Sequence, residues 1–372
     1  MRIFLFELKK VAWNQKCLVI FLLLIAAIVG LFFRNLFFQD YAHDQLMTEV
    51  TFYIETTEFK ERMHKRALEQ VGEGEKIEYL LEVNSDLLDV AREWQRSLST
   101  SDWQTSLRLE NEFLMHVRTY KMEGEDYPIS DQDISYRLFQ NQILLAKEIP
   151  PEFEHFSVAP PNYLKQVVDL FINYGGYIVV LLLVGEILSR EFEQRSINLL
   201  FTLPLNRSGL IIAKYASSLL IYFAVSVIVF GTSFLISQLL GSEGTFDYPV
   251  VIQREGGLLS ISISEYLSTG LLLFTVMILL VMVLFLLYSL LFKSILPSLF
   301  ALLGTLILGY ALTNLIKGSF FAWLNPFQYI LPKEAILYQN QAWWYQGIPV
   351  TLLLAFVILI VTTQKIKTSM AN

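Results

Sequence analysis

The chain has 372 residues, a formal net charge of −7, and 54% hydrophobic against 17% charged residues. Together with its positive mean hydropathy, this composition excludes an ordinary globular domain that folds in water. We interpret the sequence as an all-α integral membrane protein.

Six apolar runs are long enough, or nearly so, to cross a hydrocarbon core of roughly 30 Å as helices. The predicted spans are residues 17–33, 166–188, 215–240, 266–287, 298–316 and 348–363. Lys293 and Pro297 interrupt the long apolar stretch around the fourth and fifth spans, which predicts a helical hairpin with its turn at 288–297.

The first span is preceded by residues 1–16, which predict an amphipathic helix in the membrane interface. A basic start and an apolar middle are also typical of a signal peptide. The length of the run and the lack of a good small-x-small cleavage site favour a retained span.

Residues 34–165 carry 14 Lys or Arg and 25 Asp or Glu, a net charge of −11, so the acidity belongs to one inserted domain. Apolar residues recur in it three and four positions apart, which predicts helices that each bury one face. The stripes are Leu46, Val50, Tyr53 and Ile54, then Leu80, Leu87, Ala91 and Trp94, then Phe113, Leu114, Val117 and Tyr120. Ser130 with Asp133 predicts a capping pair for a last helix. Pro150, Pro151, Pro160 and Pro161 predict a stiff extended link into the second span.

Basic residues in the short connections divide unequally between the two faces that six spans imply. One face has eleven and the other has three. The eleven are Arg2, Lys9, Lys10, Lys16, Arg190, Arg195, Arg207, Lys214, Lys293, Lys365 and Lys367, and the three are Arg254, Lys317 and Lys333. Since Lys and Arg concentrate on the cytoplasmic side, we predict that both termini, including the tail at 364–372, are cytoplasmic. The large helical domain at 34–165 and a loop at 241–265 are then extracytoplasmic.

The connection at 189–214, between the second and third spans, combines charge with apolar residues at helical spacing. Phe192 and Leu199 lie on one face, while Arg190 and Glu193 keep the segment polar. Pro204 ends this pattern. An ordinary amphipathic connector and an element that binds a partner both fit these features.

This connection resembles the signature of the type-2 ABC exporter permeases, as do the six-span layout and the FELKKVAWNQK stretch before the first span. The matching positions are Glu191, Glu193, Ser196, Leu199, Leu200, Thr202, Pro204, Arg207 and Lys214, with Arg195 standing where the family often has Gly. The resemblance does not extend to residues 34–165. It implies a coupling helix that docks on a cytosolic ABC ATPase. The candidate contact residues are Glu191, Phe192, Glu193, Arg195, Ser196, Leu199, Thr202, Pro204 and Arg207.

Residues 317–347 are rich in Trp, Tyr and Phe, and Asn325 with Pro326 predicts a break between two short helices. An aromatic belt that anchors the last two spans is one interpretation. The resemblance implies another, in which short re-entrant or interfacial helices cap a translocation path. The second span also contains the polar residues Asp169, Asn173 and Glu186, for which interfacial placement and a functional role are both open. The candidate path or gate residues are Asn173, Trp323, Asn325, Pro326 and Phe327.

No G-x-x-x-x-G-K-[ST] loop occurs in the sequence, so ATP and Mg would be bound by the partner ATPase. The four histidines lack metal-ligand spacing, and no cofactor or metal is expected in this chain. Six helices are too few to enclose a path alone, which predicts a second permease subunit, identical or different. The other expected partner is the lipid bilayer, and no nucleic acid is expected.

The resemblance therefore implies a non-catalytic permease subunit of an ATP-driven exporter in a bacterial plasma membrane. The large external domain favours a peptide or antibiotic-like substrate, or an extracytoplasmic partner. A membrane sensor or immunity protein that binds an extracellular peptide through residues 34–165 is the alternative. A lipid-handling or glycan-handling enzyme is a third possibility, for which the sequence offers no catalytic cluster.

Overall fold

A computed structural model of the chain describes residues 4, 15–71, 74–100, 102–193, 207–254, 256–316, 319, 321–337 and 344–368. Six of its helices are long and apolar enough to cross a membrane. They are Gln15–Phe37, Pro160–Gly185, Arg207–Leu240, Ile263–Phe292, Ile295–Ile316 and Gly347–Ile366. The prediction of a mostly helical chain with six apolar helices is confirmed.

Twelve α-helices are numbered in chain order across the described residues. They are α1 (Gln15–Phe37), α2 (Gln39–Val71), α3 (Glu75–Leu98), α4 (Trp103–Met122), α5 (Asp131–Lys147), α6 (Pro160–Leu170), α7 (Gly176–Glu193), α8 (Arg207–Leu240), α9 (Ile263–Phe292), α10 (Ile295–Ile316), α11 (Pro332–Leu337) and α12 (Gly347–Thr368). A π-helical turn, Phe171–Gly175, joins α6 to α7. Short 3₁₀ turns cover Ala322–Leu324 and Trp344–Gln346.

A small β-sheet departs from the all-α prediction. Strands β1 (Pro249–Arg254) and β2 (Gly257–Ser262) pair with each other within the stretch predicted to be a loop. Gly257 has a φ of 120°, a backbone conformation that favours glycine. The sequence signal was weak because β1 and β2 are each only six residues long.

The chain divides into two compact units, which we call the polar unit and the apolar unit. The polar unit comprises Phe33–Ser157 with Thr245–Val251, and the apolar unit comprises the rest. In the polar unit, helices α2 to α5 enclose a core that includes the predicted stripe residues Val50, Leu87 and Val117. Ser130 caps α5 as predicted, because its hydroxyl accepts a hydrogen bond from Asp133 N at 3.0 Å.

Charged and aromatic side chains tie the helices of the polar unit together. The Arg137 guanidinium in α5 lies 2.6 Å from a Glu110 carboxylate oxygen in α4 and 2.8 Å from Glu49 in α2. Burial alone would lower the pKa of Arg137, but the two carboxylates outweigh it and raise that pKa. Next to this network, Trp94 and Tyr53 pack on the Phe113 ring, each with 5.4 Å between ring centroids.

Helix α9 forms the centre of the apolar unit. In the apolar 18-residue stretch that marks α9 as a candidate span, 72% of the residues are buried, against 17% to 50% in the corresponding stretches of the other five candidate spans. Hydroxyl groups link it to its neighbours: Tyr222 of α8 meets Thr275 at 2.7 Å, and Tyr288 meets Thr305 of α10 at 2.6 Å. A helix that is apolar on all sides and buried is typical of the middle of a bundle.

Helix α6 begins at Pro160, where the sequence predicted an extended proline link. That prediction is wrong for Pro160 and Pro161, which occupy the first turn of the helix. Proline fits there because the first N–H groups of a helix have no intrahelical acceptor and its fixed φ suits a helix start. The α6 residue Tyr163 then packs on α1, with its hydroxyl donating to the Ile28 carbonyl at 2.5 Å.

Candidate functional site

The predicted coupling segment lies mostly outside the described residues. Arg195, Ser196, Leu199, Thr202 and Pro204 fall in that undescribed stretch. The backbone of α7 is helical as far as Glu193, which includes the predicted contact residues Glu191 and Phe192, but their side chains are not described. Arg207 is the first residue of α8 and is half-buried. The coupling assignment stays a prediction.

The aromatic stretch between α10 and α12 is described over residues 321–337, which we call the 321–337 segment. Its predicted break at Asn325 and Pro326 is a turn in which Asn325 is buried and Pro326 is half-buried. The Asn325 side chain donates to Thr313 of α10 at 2.6 Å and accepts from the Phe327 backbone N at 3.1 Å. The Pro326 carbonyl accepts from the Thr351 hydroxyl of α12 at 3.1 Å. The turn is therefore bonded to the last two spans.

Phe327 lies directly against the backbone of α10. A Cβ atom added at Gly309 would come within 2.7 Å of the Phe327 ring and 2.8 Å of its Cβ. Only glycine leaves room for this contact without a shift of the ring. The structure therefore brings together three of the candidate gate residues, Asn325, Pro326 and Phe327, on the ends of α10 and α12.

Tyr329 and Ile330 fix the next part of the segment. Tyr329 is fully buried, and burial raises the pKa of its phenol while backbone N–H groups of Gly347 and Ile348 in α12 hydrogen-bond to it. The Tyr177 hydroxyl of α7 donates to the Ile330 carbonyl at 3.1 Å. The segment thus contacts the second span as well.

Asp169 of α6 links the segment to two further helices. One carboxylate oxygen accepts from the Tyr266 hydroxyl of α9 at 2.5 Å, and the other lies 2.9 Å from the Lys333 ammonium of α11. The Lys165 ammonium is 3.9 Å from the second oxygen. The Asp169 side chain is only 14% exposed, so both oxygens are paired in a largely buried place.

The π-helical turn follows Asp169 by two residues. Gly175 and Gly176 allow its wide backbone, because Cβ atoms there would come within 2.7 Å of the Leu170 carbonyl and 2.6 Å of the Phe274 ring. Asn173 lies in the middle of this turn and is half-buried. Within the described part of the chain, no hydrogen bond joins Asn173 to the 321–337 segment. Isolated π-helical turns in α-helices frequently occur at functional sites.

Trp323 lies outside the turn at Asn325 and Pro326. It lies in the 3₁₀ turn Ala322–Leu324 and is 36% exposed, and its carbonyl accepts from the Gln328 side chain at 3.1 Å. The neighbouring Phe321 and Leu324 are also exposed. These residues fit an anchoring belt, whereas Asn325 to Ile330 fit a plug packed on the spans.

Sequence reasoning missed the partners that hold the segment in place. Lys333 entered only the charge count, and Thr313, Thr351 and Tyr177 are ordinary residues in apolar helices. Asp169 was recognisable as an ionisable residue in a span. Its pairing with Lys333, 164 positions further along the chain, is a tertiary contact that spacing does not reveal.

Comparison with known proteins bears on the whole chain. No curated protein and no solved structure gives a significant match. A family model described as ABC-2 family transporter protein matches residues 1–363, which is nearly the full length. The first five candidate membrane spans, the 321–337 segment and all but the last three residues of the sixth span lie within that match. The chain belongs to the ABC-2 transporter family and is a multi-pass membrane permease of an ABC transporter.

Proposed function

We propose that this permease couples ATP hydrolysis by a separate cytosolic ABC ATPase to the export of a substrate across a bacterial plasma membrane. ATP and Mg would bind to the ATPase. The chain would hold neither, since its sequence lacks a phosphate loop. The family's association with an ABC ATPase supports the choice of partner.

The continuity of the second span carries this proposal. Helix α6, the π-helical turn and α7 form one run from Pro160 to Glu193. At about 1.5 Å per residue, such a run is roughly 50 Å long. Its beginning carries Asp169, which is bonded to the 321–337 segment, and its end leads into the predicted coupling segment. A closing ATPase dimer that displaced the coupling segment would therefore move a helix that reaches the other end of the bundle.

Packing of α7 on the central helix supports the same path. A Cβ atom added at Gly185 would lie 3.6 Å from the Phe285 ring of α9, an ordinary van der Waals contact. Displacement of α7 would therefore act on α9 as well as on the 321–337 segment. We propose that two such permeases, identical or different, enclose the path between them.

Orientation and substrate belong to the same proposal. The eleven-to-three bias of basic residues supports cytoplasmic termini and an extracytoplasmic polar unit. That unit, with a net charge of −11 over residues 34–165, would favour a cationic peptide or antibiotic-like substrate, or an external partner of that kind.

Affinity purification of the tagged chain from its native membranes in mild detergent tests the function. We expect an ABC ATPase with a G-x-x-x-x-G-K-[ST] loop to copurify in a comparable amount, and the complex to hydrolyse ATP. Recovery of the chain without any ABC ATPase would contradict the proposal and favour the peptide-binding sensor.

A matched pair of charge reversals tests the docking segment. Glu193→Lys changes a predicted contact residue, whereas Glu55→Lys changes an exposed residue of α2 in the polar unit. We expect the first variant to lose most of the copurified ATPase and the second to retain it. If Glu193→Lys retains the ATPase as well, the assignment is wrong for that residue.

A further inference from the structure

The Asp169 carboxylate joins three separate elements of the apolar unit. Asp169 is part of α6, the Tyr266 hydroxyl that it accepts belongs to α9, and the Lys333 ammonium belongs to α11 in the 321–337 segment. The two partners use different oxygens of the carboxylate. One side chain therefore determines whether the segment is attached to the second and fourth spans at this point.

Partial burial strengthens the ion pair between Asp169 and Lys333 and still allows the pair to separate. The Asp169 side chain is 14% exposed and that of Lys333 is 37% exposed. A partly buried pair attracts more strongly than a surface pair, because less water screens it. Lys333 keeps access to water along its flexible stem, so its ammonium can be hydrated when the pair separates.

The adjacent π-helical turn provides a way to separate the pair. Such a turn holds one residue more than an α-helical turn in the same place, and an α-helix rotates by about 100° per residue. Conversion of Phe171–Gly175 into regular α-helix would therefore rotate α6 relative to α7. Asp169, two residues before the turn, would then face away from Lys333 or from Tyr266.

We infer that Asp169 and Lys333 form a releasable latch, which holds the 321–337 segment on the second and fourth spans at rest and opens when the ATPase dimer closes. This inference rests on the proposed function, because ATPase closure supplies the opening movement. Asp169 and Lys333 are positioning residues in it. Tyr266 orients the carboxylate so that its other oxygen faces Lys333 of α11 at rest.

A disulfide reporter one helical turn from the latch measures whether the segment is attached to the fourth span. Cys17, the single cysteine, is replaced by Ala, and Gly270→Cys in α9 and Ile336→Cys in α11 are introduced. A Cβ atom at Gly270 would lie 3.6 Å from Cδ1 of Ile336, so thiols at the two positions can reach disulfide distance while the segment is attached. The protein is placed in lipid nanodiscs with its ABC ATPase, and the rate of oxidative crosslinking is measured.

State dependence is the first result. In the nucleotide-free complex the pair should crosslink rapidly, and after trapping with ATP, Mg and vanadate it should crosslink at least about fivefold more slowly, as a population shift toward the open form requires. Equal rates in the two states would overturn the latch.

Charge exchange is the second result. Asp169→Asn and Lys333→Gln should each slow crosslinking in the nucleotide-free state, and the exchange Asp169→Lys with Lys333→Asp should restore at least about half of the parent rate, since the pair acts as a unit. Glu265→Gln, next to Tyr266 and exposed, is the matched control and should leave the rate unchanged. If Asp169→Asn crosslinks as fast as the parent protein, the pair of Asp169 and Lys333 does not hold the segment.

The two levels of the proposal fail differently. If no ABC ATPase assembles with the chain, the proposed function fails, and charge exchange on the chain alone still tests whether the pair holds the segment. If the ATPase assembles and hydrolyses ATP while both crosslinking results are negative, only the latch fails.

Discussion

Gly309 and Gly304 lie five residues apart in α10 and differ in what surrounds them. A Cβ at Gly309 would collide with Phe327, whereas a Cβ at Gly304 would meet nothing within 4 Å. We expect Gly309→Ala to lower the free energy of unfolding by about 1–3 kcal/mol, because the ring must leave its place. Gly304→Ala should be neutral or slightly stabilising, since Ala favours the helix.

Thermal unfolding of the two variants in the same detergent measures this difference. The ATPase activity of the complex should also change in Gly309→Ala alone, because Phe327 belongs to the 321–337 segment. Equal melting temperatures for both variants would mean that the Phe327 ring moves aside freely, and the segment would then be held by its hydrogen bonds rather than by this contact.

Single residues show what sequence could and could not reveal about the site. The break at Asn325 and Pro326 is a local property, since a proline and a side chain that accepts from its own backbone mark a turn. The hydrogen bonds between Asn325 and Thr313 and between the Thr351 hydroxyl and the Pro326 carbonyl are tertiary contacts. Threonine is common in apolar helices, so nothing in the spacing singles out these two.

At the scale of elements, apolar length predicted all six spans but not their ends. The predicted third span starts after Lys214, whereas α8 begins eight residues earlier at Arg207 and includes Lys214 as a buried residue. Helix α6 begins at Pro160 because proline fits the first turn of a helix. The π-helical turn could not be predicted from the spacing of apolar residues, since its five residues are too few to change that spacing recognisably.

In the polar unit, periodicity identified the buried faces and not the polar contacts between helices. Residues at helical spacing such as Val50, Leu87 and Val117 are buried together as predicted. The ion pairs of Arg137 join α5 to the neighbouring α4 through Glu110 and to α2, 88 positions earlier in the chain, through Glu49. Charged residues at many other positions are exposed, so composition alone could not select these three.

Arg137 should therefore be the charged residue on which the arrangement of α2, α4 and α5 depends. Arg137→Met keeps much of the side-chain length but removes the positive charge that pairs with the Glu49 and Glu110 carboxylates. Glu110 is buried, so its carboxylate would lose this partner where little water reaches it. We expect a loss of about 3 kcal/mol in the free energy of unfolding of the polar unit. The control Arg92→Met removes a pair with Glu58 in which Arg92 is 45% exposed, and should lose about 0–1 kcal/mol.

Thermal unfolding of the full chain, followed by circular dichroism, compares the two arginine variants. The polar unit has its own core and should give a transition that Arg137→Met lowers clearly more than Arg92→Met does. If both substitutions shift it equally, water or neighbouring groups compensate the stranded carboxylates.

At the scale of the whole molecule, charge and hydropathy divide between the two units. The polar unit contains nearly all of residues 34–165 and thus the acidic excess, while the remainder of the chain carries 14 basic and 10 acidic residues, a net charge of +4. Folding of each unit follows from its own pattern, helical stripes in one and apolar spans in the other. Orientation depends instead on where the basic residues meet the membrane surface.

Cysteine labelling of intact cells tests that orientation directly. In a Cys17→Ala background, Met122→Cys is placed in the polar unit, where Met122 is 76% exposed, and Lys293→Cys in the exposed turn between α9 and α10. We expect a membrane-impermeant maleimide to label position 122 in intact cells and position 293 only after the membrane is opened, because basic turns stay in the cytoplasm. Labelling of position 293 from outside, with position 122 protected, would reverse the orientation. The predicted coupling segment would then lie on the extracytoplasmic side of the membrane. A cytosolic ABC ATPase could not bind it there.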